Sequence, residues 1–152
     1  GEEFEKLKKK VEDEKIKDFK ILGFAGEKEK LNIVRSSWLA VSTSMKEGWG
    51  ITTVEANACA TPVIGSDVPG LRDSIVHDET GSLVPYGDSN QLADRITWIL
   101  EDHESRSDMS VRSCKWAQKF HWDTSAQKLN ALITKEVGDF DRFVEKKANR
   151  AV

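Results

Sequence analysis

Apolar positions along this chain fall into two rhythms. Short unbroken apolar runs bounded by glycine or proline alternate with stretches where apolar residues recur every three or four positions. Phe4, Leu7 and Val11 predict a charged surface helix from Glu2 to about Glu14, with one narrow apolar stripe. The run from Phe19 to Phe24 predicts a short strand ending in a glycine turn. Leu31, Ile33 and Val34 return to helical spacing between Glu27 and Ser37, and Trp38 to Val41 is a second strand. Ser42 to Lys46 leads it into a turn at Glu47. Small residues from Ile51 predict a helix that ends before Thr61-Pro62, and Pro62 to Gly65 is the next strand. Ser66 to Gly70 is a loop, Leu71 to Val76 a short helix, and Ser82 to Val84 a last strand stopped by Pro85-Tyr86-Gly87-Asp88.

The remainder, about 88–147, reads as helices. Asp88 or Ser89 can cap one whose stripe is Leu92, Ile96, Ile99 and Leu100. Met109, Arg112, Ser113 and Ala117 lie on the next, which ends near Phe120. Asp123 or Thr124 caps another, with Ala126, Leu129, Leu132 and Ile133 expected inward, and Val137, Phe140, Phe143 and Val144 form a final apolar stripe. Trp98, Trp116 and Trp122 sit in helical runs without a basic groove and read as packing residues. Short strands alternating with helices predict an α/β domain with a parallel sheet and helices on both faces. Ligands of such sheets bind beyond the carboxyl ends of the strands, where the Glu47 turn falls.

Composition narrows the class. A chain of 152 residues is one domain long and can bury a sizeable core. With 38% hydrophobic and 32% charged residues it reads as soluble and globular. A formal net charge of -3 leaves no basic excess for a nucleic-acid surface. No apolar run of spanning length and no signal-peptide pattern is present, so no transmembrane segment is expected. Two cysteines, Cys59 and Cys114, are too few for a disulfide framework and point to a reducing cytoplasm. His77, His103 and His121 are scattered without ligand spacing, so neither a metal nor another cofactor is expected.

The stretch richest in chemistry is Glu47-Gly48-Trp49-Gly50-Ile51-Thr52-Thr53-Val54-Glu55. Gly48 and Gly50 allow positive φ and a close backbone approach by a ligand. A helix starting near Ile51 turns its free N–H groups toward that turn, where a diphosphate would be stabilised. Glu55 falls in its second turn, on the face of Ile51 and Thr52. An ionised carboxylate accepts hydrogen bonds and donates none, which suits the diol of a ribose, and Glu47 can meet a second hydroxyl group. Taken singly, each glutamate would read as a solvated surface residue. Asp67, Asp78 and Glu79 read as loop residues.

Glu47-x7-Glu55 around Gly-Trp-Gly resembles the E-x7-E signature of retaining GT-B glycosyltransferases of the large family 4, the group 1 glycosyl transferases. The flanks agree: Ala56 to Asp67 resembles "AMACGTPVVASD" and Gly70 to Pro85 resembles "GGIPEIVEDGETGLLVP". The resemblance runs from about Ile21 to Trp122, with Trp49 in place of the commoner Phe and Ala60 in place of Gly. The second replacement suggests a slightly tighter helix end.

The resemblance implies the C-terminal, donor-binding Rossmann-like half of a GT-B enzyme, residues 1–152 forming a single, partial domain that lacks the first strands. It implies transfer of a hexosyl group from a nucleotide-diphosphate-sugar with retention. Glu47 would be the catalytic-face residue holding a donor-sugar hydroxyl, and Glu55 would hold the ribose. Gly50, Ile51 and Thr52 would carry the diphosphate beside Gly48 and Trp49, and Ala25 would pass beside the base. The acceptor domain would be absent, as would the basic pair that grips the diphosphate. Lys46 is no phosphate ligand, and no substitute cationic pair stands near the motif. The chain alone would then be inactive, in the cytoplasm or, in a longer parent, peripheral at the membrane. In a strand order like 3-2-1-4-5-6, Phe19–Leu22 would be strand three and Trp38–Val41 strand four. That leaves four short parallel strands with an exposed edge and a tendency to self-associate. A non-catalytic nucleotide-binding module and a GT-B-fold epimerase are the alternatives.

Overall fold

The computed structural model describes residues 3–148. In chain order the elements are α1 (Phe4–Asp13), α2 (Glu27–Ser36), β1 (Ala40–Ser42), α3 (Ile51–Ala58), β2 (Val63–Ser66), α4 (Leu71–Ser74), β3 (Gly81–Val84), α5 (Ser89–Glu101), α6 (His103–Ala117) and α7 (Trp122–Ala148). A 3-10 turn over Gln118–Phe120 joins the last two helices.

The sheet has three parallel strands in the order β1-β2-β3. Ala40 lies opposite Val63, and Val63 opposite Gly81. Every residue of β2 is buried, as expected for a central strand covered on both faces. Successive side chains of a strand point to opposite faces. Val63 accordingly packs with Ala56, Val68, Leu71 and Ile75, joined by Val34 of α2. Its neighbour Ile64 packs with Val84, Ile99 and Met109, joined by Leu92 and Ile96 of α5. One apolar layer therefore lies on each face of the sheet.

Phe19–Leu22 is not a strand, so the sheet has three strands rather than four among the described residues. A strand needs a neighbour to take its N–H and C=O groups, and this segment pairs with none. The glycine that follows it lies against α1: a Cβ on Gly23 would meet the Phe4 ring at 3.1 Å. The second strand begins at Ala40 rather than Trp38, because Trp38 and Leu39 precede the first residue paired with β2. Its outer edge carries no partner among the described residues.

The helical half starts as its caps dictate. Asp88 accepts from the Gln91 N–H at 2.9 Å and opens α5. Asp102 accepts from the Ser105 N–H at 2.9 Å and opens α6. Arg106 reaches back to the last turn of α5, donating to the Ile99 and Leu100 carbonyls. The α7 helix departs from expectation in two respects. It begins one residue before Asp123, since the His121 ring takes the Asp123 N–H at 3.3 Å and the His121 carbonyl takes the Ser125 N–H. Its supposed inner face also lies open. Leu129 and Leu132 are each 59% exposed, Trp122 is 84% exposed, and Ala126, Ile133, Val137 and Phe140 are exposed too. Helical periodicity identifies an apolar face but not what covers it, and no other described element does. The side chains of Phe143 and Val144 lie outside the described residues.

Candidate functional site

The site is built where β1 hands the chain to α3. Gly50 caps α3 with φ 79°, a left-handed conformation that glycine adopts without penalty. A side chain there would also meet Ser74 Oγ at 2.8 Å and Leu71 Cδ2 at 2.9 Å. Gly70, φ 82°, brings the next loop against this turn, since its Cβ would fall 2.5 Å from the Glu47 carbonyl oxygen. Gly48 differs from expectation. It does not have positive φ, and a Cβ on it would meet nothing within 4 Å. Conformational freedom is therefore required at Gly50 and not at Gly48.

Buried hydrogen bonds lock this turn. The Thr53 hydroxyl donates to the Gly50 carbonyl at 2.6 Å and lies 2.8 Å from Ser74 Oγ. The Ser74 carbonyl in turn accepts from Trp116 Nε1 at 2.9 Å. The Trp49 ring meets Phe120 edge to face at 4.7 Å, and Phe120 meets Trp116 at 5.0 Å. Trp49 is thus held from beneath by the turn after α6. Trp116 packs as expected, Trp98 is partly exposed under Arg95, and Trp122 does not pack. The N–H groups of Ile51 and Thr52 have no acceptor among the described residues.

Glu47 and Glu55 have separate surroundings. Glu47, half-buried, accepts from Ser44 Oγ at 2.7 Å. Glu55 lies roughly 7–8 Å further along the α3 axis than Gly50, at 1.5 Å per residue, and lines a cleft of about 490 Å³ between α2 and α3. Leu31 and Val34 of α2, Ala58 of α3 and Cys59 just after it give this cleft apolar walls. Thr52 lines it as well, beside the charged groups Glu27, Lys28, Lys30, Arg35 and Glu55. Ala25 precedes α2 by two residues and is half-buried.

Lys28, Lys30 and Arg35 line this cleft with Glu55, although none stands near it in sequence. Lys30 Nζ donates to Glu27 Oε1 at 3.2 Å and to Glu55 Oε2 at 3.3 Å. The Glu27 hydrogen bond, then that of Glu55, raises the Lys30 pKa above its usual value. The signal for these residues was the spacing Glu27, Lys30, Leu31, Val34, one face of α2, which gives a face but not its partner helix. Arg72 Nε of α4 donates to Asp67 Oδ1 in the loop after β2 at 2.5 Å and holds that carboxyl below its ordinary range. Among the described residues no helix is long and apolar enough to cross a membrane, and no group of three or more His, Cys, Asp or Glu could hold a metal ion.

Comparison with known proteins agrees with this architecture. A D-inositol 3-phosphate glycosyltransferase of Thermobispora bispora is 31% identical over 115 residues, 76% of this chain and 27% of that protein. The sucrose-phosphate synthase structure from Thermosynechococcus elongatus superposes with TM-score 0.80 at 30% identity, over 91% of this chain and 35% of that one. Anabaena HepE, solved with UDP-glucose, superposes with TM-score 0.75 at 24% identity, over 86% of this chain and 36% of that one, and shares the fold. The chain spans about a quarter of the length of the curated relatives it matches. The family model "Glycosyl transferases group 1" matches residues 1–116. The chain therefore belongs to the group 1 glycosyl transferases and has the α/β fold of GT-B enzymes.

Proposed function

We propose that this domain binds the nucleoside diphosphate of a nucleotide-sugar in the α2–α3 cleft. Paired with an acceptor-binding domain, it serves transfer of a hexosyl group with retention at the anomeric carbon. The observation that carries this reading is Glu55, which lines the cleft just beyond a glycine turn whose following N–H groups are free. A ribose diol donates to Glu55, and the diphosphate lies toward Gly50, Ile51 and Thr52, where the N-terminal end of α3 favours negative charge. The apolar walls at Leu31 and Val34 suit a base that has passed Ala25. Glu47, with Gly48 and Trp49 in the turn, holds a sugar hydroxyl near the reacting face. The barrier is separation of a diphosphate from an oxocarbenium-like sugar, so positioning and charge stabilisation dominate.

UDP-glucose bound by a protein of the same fold supports a nucleotide-sugar donor. The sugar-transferring relatives support a hexosyl group.

The test uses a two-domain enzyme containing this domain. Glu55→Ala weakens nucleotide binding by about 1–3 kcal/mol, the worth of a charge-assisted hydrogen bond. Glu47→Ala lowers turnover more than nucleoside-diphosphate affinity. Wild-type kinetics in both variants, or an inverted anomer in the product, contradicts the proposal.

A further inference from the structure

We infer that Lys30 is the second ribose-binding residue of the cleft, donating to the hydroxyl oxygens whose protons Glu55 accepts. The inference rests on the nucleotide reading above and adds a residue that the E-x7-E motif does not contain. Its basis is hydrogen-bonding capacity. An ammonium has three donors and no acceptor; an ionised carboxylate has only acceptors. Lys30 spends one donor on Glu27 and one on Glu55, leaving a third. Glu55 has Lys30 on Oε2 and no protein donor on Oε1 among the described residues. Both groups line the same cleft, from different helices and 25 residues apart in sequence.

A hydroxyl group both donates and accepts. A carboxylate alone satisfies the donor half of a vicinal diol and leaves the oxygen lone pairs unmatched. The Lys30–Glu55 pair supplies both halves. Glu27 also holds the ammonium, so Lys30 stays in place when a diol displaces part of its contact with Glu55. Sites that pair a substrate hydroxyl on both its donor and acceptor functions discriminate strongly against the analogue lacking it.

The experiment titrates this chain with UDP, GDP and ADP and with the 2′-deoxy form of each, following amide shifts at millimolar nucleotide. The wild type prefers the ribonucleotide of the base it accepts. Lys30→Met lowers ribonucleotide affinity about tenfold, the worth of one charge-assisted bond, and reduces the ribo-to-deoxy preference to the part that Glu55 alone supplies. Lys30→Arg, which keeps donors at this place, retains most of both. If Lys30→Met keeps wild-type affinity and preference while Glu55→Gln loses binding, the role of Lys30 is overturned and the nucleotide reading survives. If the wild type binds none of the nucleotides, or Glu55→Gln binds as well as wild type, the nucleotide reading falls and the Lys30 inference falls with it.

Discussion

Ala60 occupies the left-handed residue that closes α3, with φ 59°. The Thr61 N–H bonds to the Ala56 carbonyl and the Ala60 N–H to the Asn57 carbonyl, the two bonds of a Schellman ending. Glycine is favoured at that position because a Cβ in the left-handed region costs about 1 kcal/mol or more. Ala60 is exposed, so its methyl group contributes no packing to offset the strain. Ala60→Gly is expected to stabilise the chain by about 1 kcal/mol in urea unfolding; an unchanged or lower midpoint contradicts the assignment. This corrects the simpler expectation of a tighter helix end. Family resemblance marked the missing glycine, but the reason for it lies in φ, which a lone Ala does not announce. Glu55 and Gly50 were legible for the opposite reason, since local spacing alone puts a carboxylate one and a half turns beyond a glycine turn. Lys30 was not, because it meets Glu55 only through the packing of α2 on α3.

The elements of the α/β core were legible to within a residue or two where apolar runs are short and flanked by glycine or proline. The Pro62–Gly65 run became β2 at Val63–Ser66, and the Asp88 cap opened α5 as its side chain requires. Reading failed where an element's state depends on a partner. Phe19–Leu22 has the composition of a strand but no strand to pair with. The α7 stripe has helical spacing but no covering surface, so α7 contributes little to the stability of the sheet. A chain ending at His121 should therefore melt within about 2 °C of the full chain, since changes at exposed positions usually stay within ±0.5 kcal/mol. Differential scanning calorimetry checks this, and a loss of about 8 °C or more would show that α7 is part of the core.

At the scale of the molecule, stability should be level through neutral pH and fall at the extremes. Asp67 and Asp102 have lowered pKa values, Asp67 through the Arg72 hydrogen bond and Asp102 through the Ser105 N–H. A depressed carboxyl stabilises the fold above its unfolded pKa, near 3.9, and that contribution is lost as pH falls through the lower folded value. Lys30, raised chiefly by Glu27, contributes below the usual lysine value and loses its contribution as pH rises above it. Urea midpoints from about pH 2 to pH 11 should show both limbs. Asp67→Asn should flatten the acid limb, and an acid limb unchanged in that variant contradicts the Asp67 assignment. The central claim, that the α2–α3 cleft holds the nucleoside diphosphate of a sugar donor, is tested most directly by mapping amide shifts on addition of UDP, GDP or ADP. The account predicts the largest shifts at Lys30, Leu31, Ile51, Thr52, Glu55 and Cys59. Shifts confined to the separate pocket just after β1 and β3, around Thr43, Tyr86 and Asp88, or no shifts with any of these nucleotides, would contradict it.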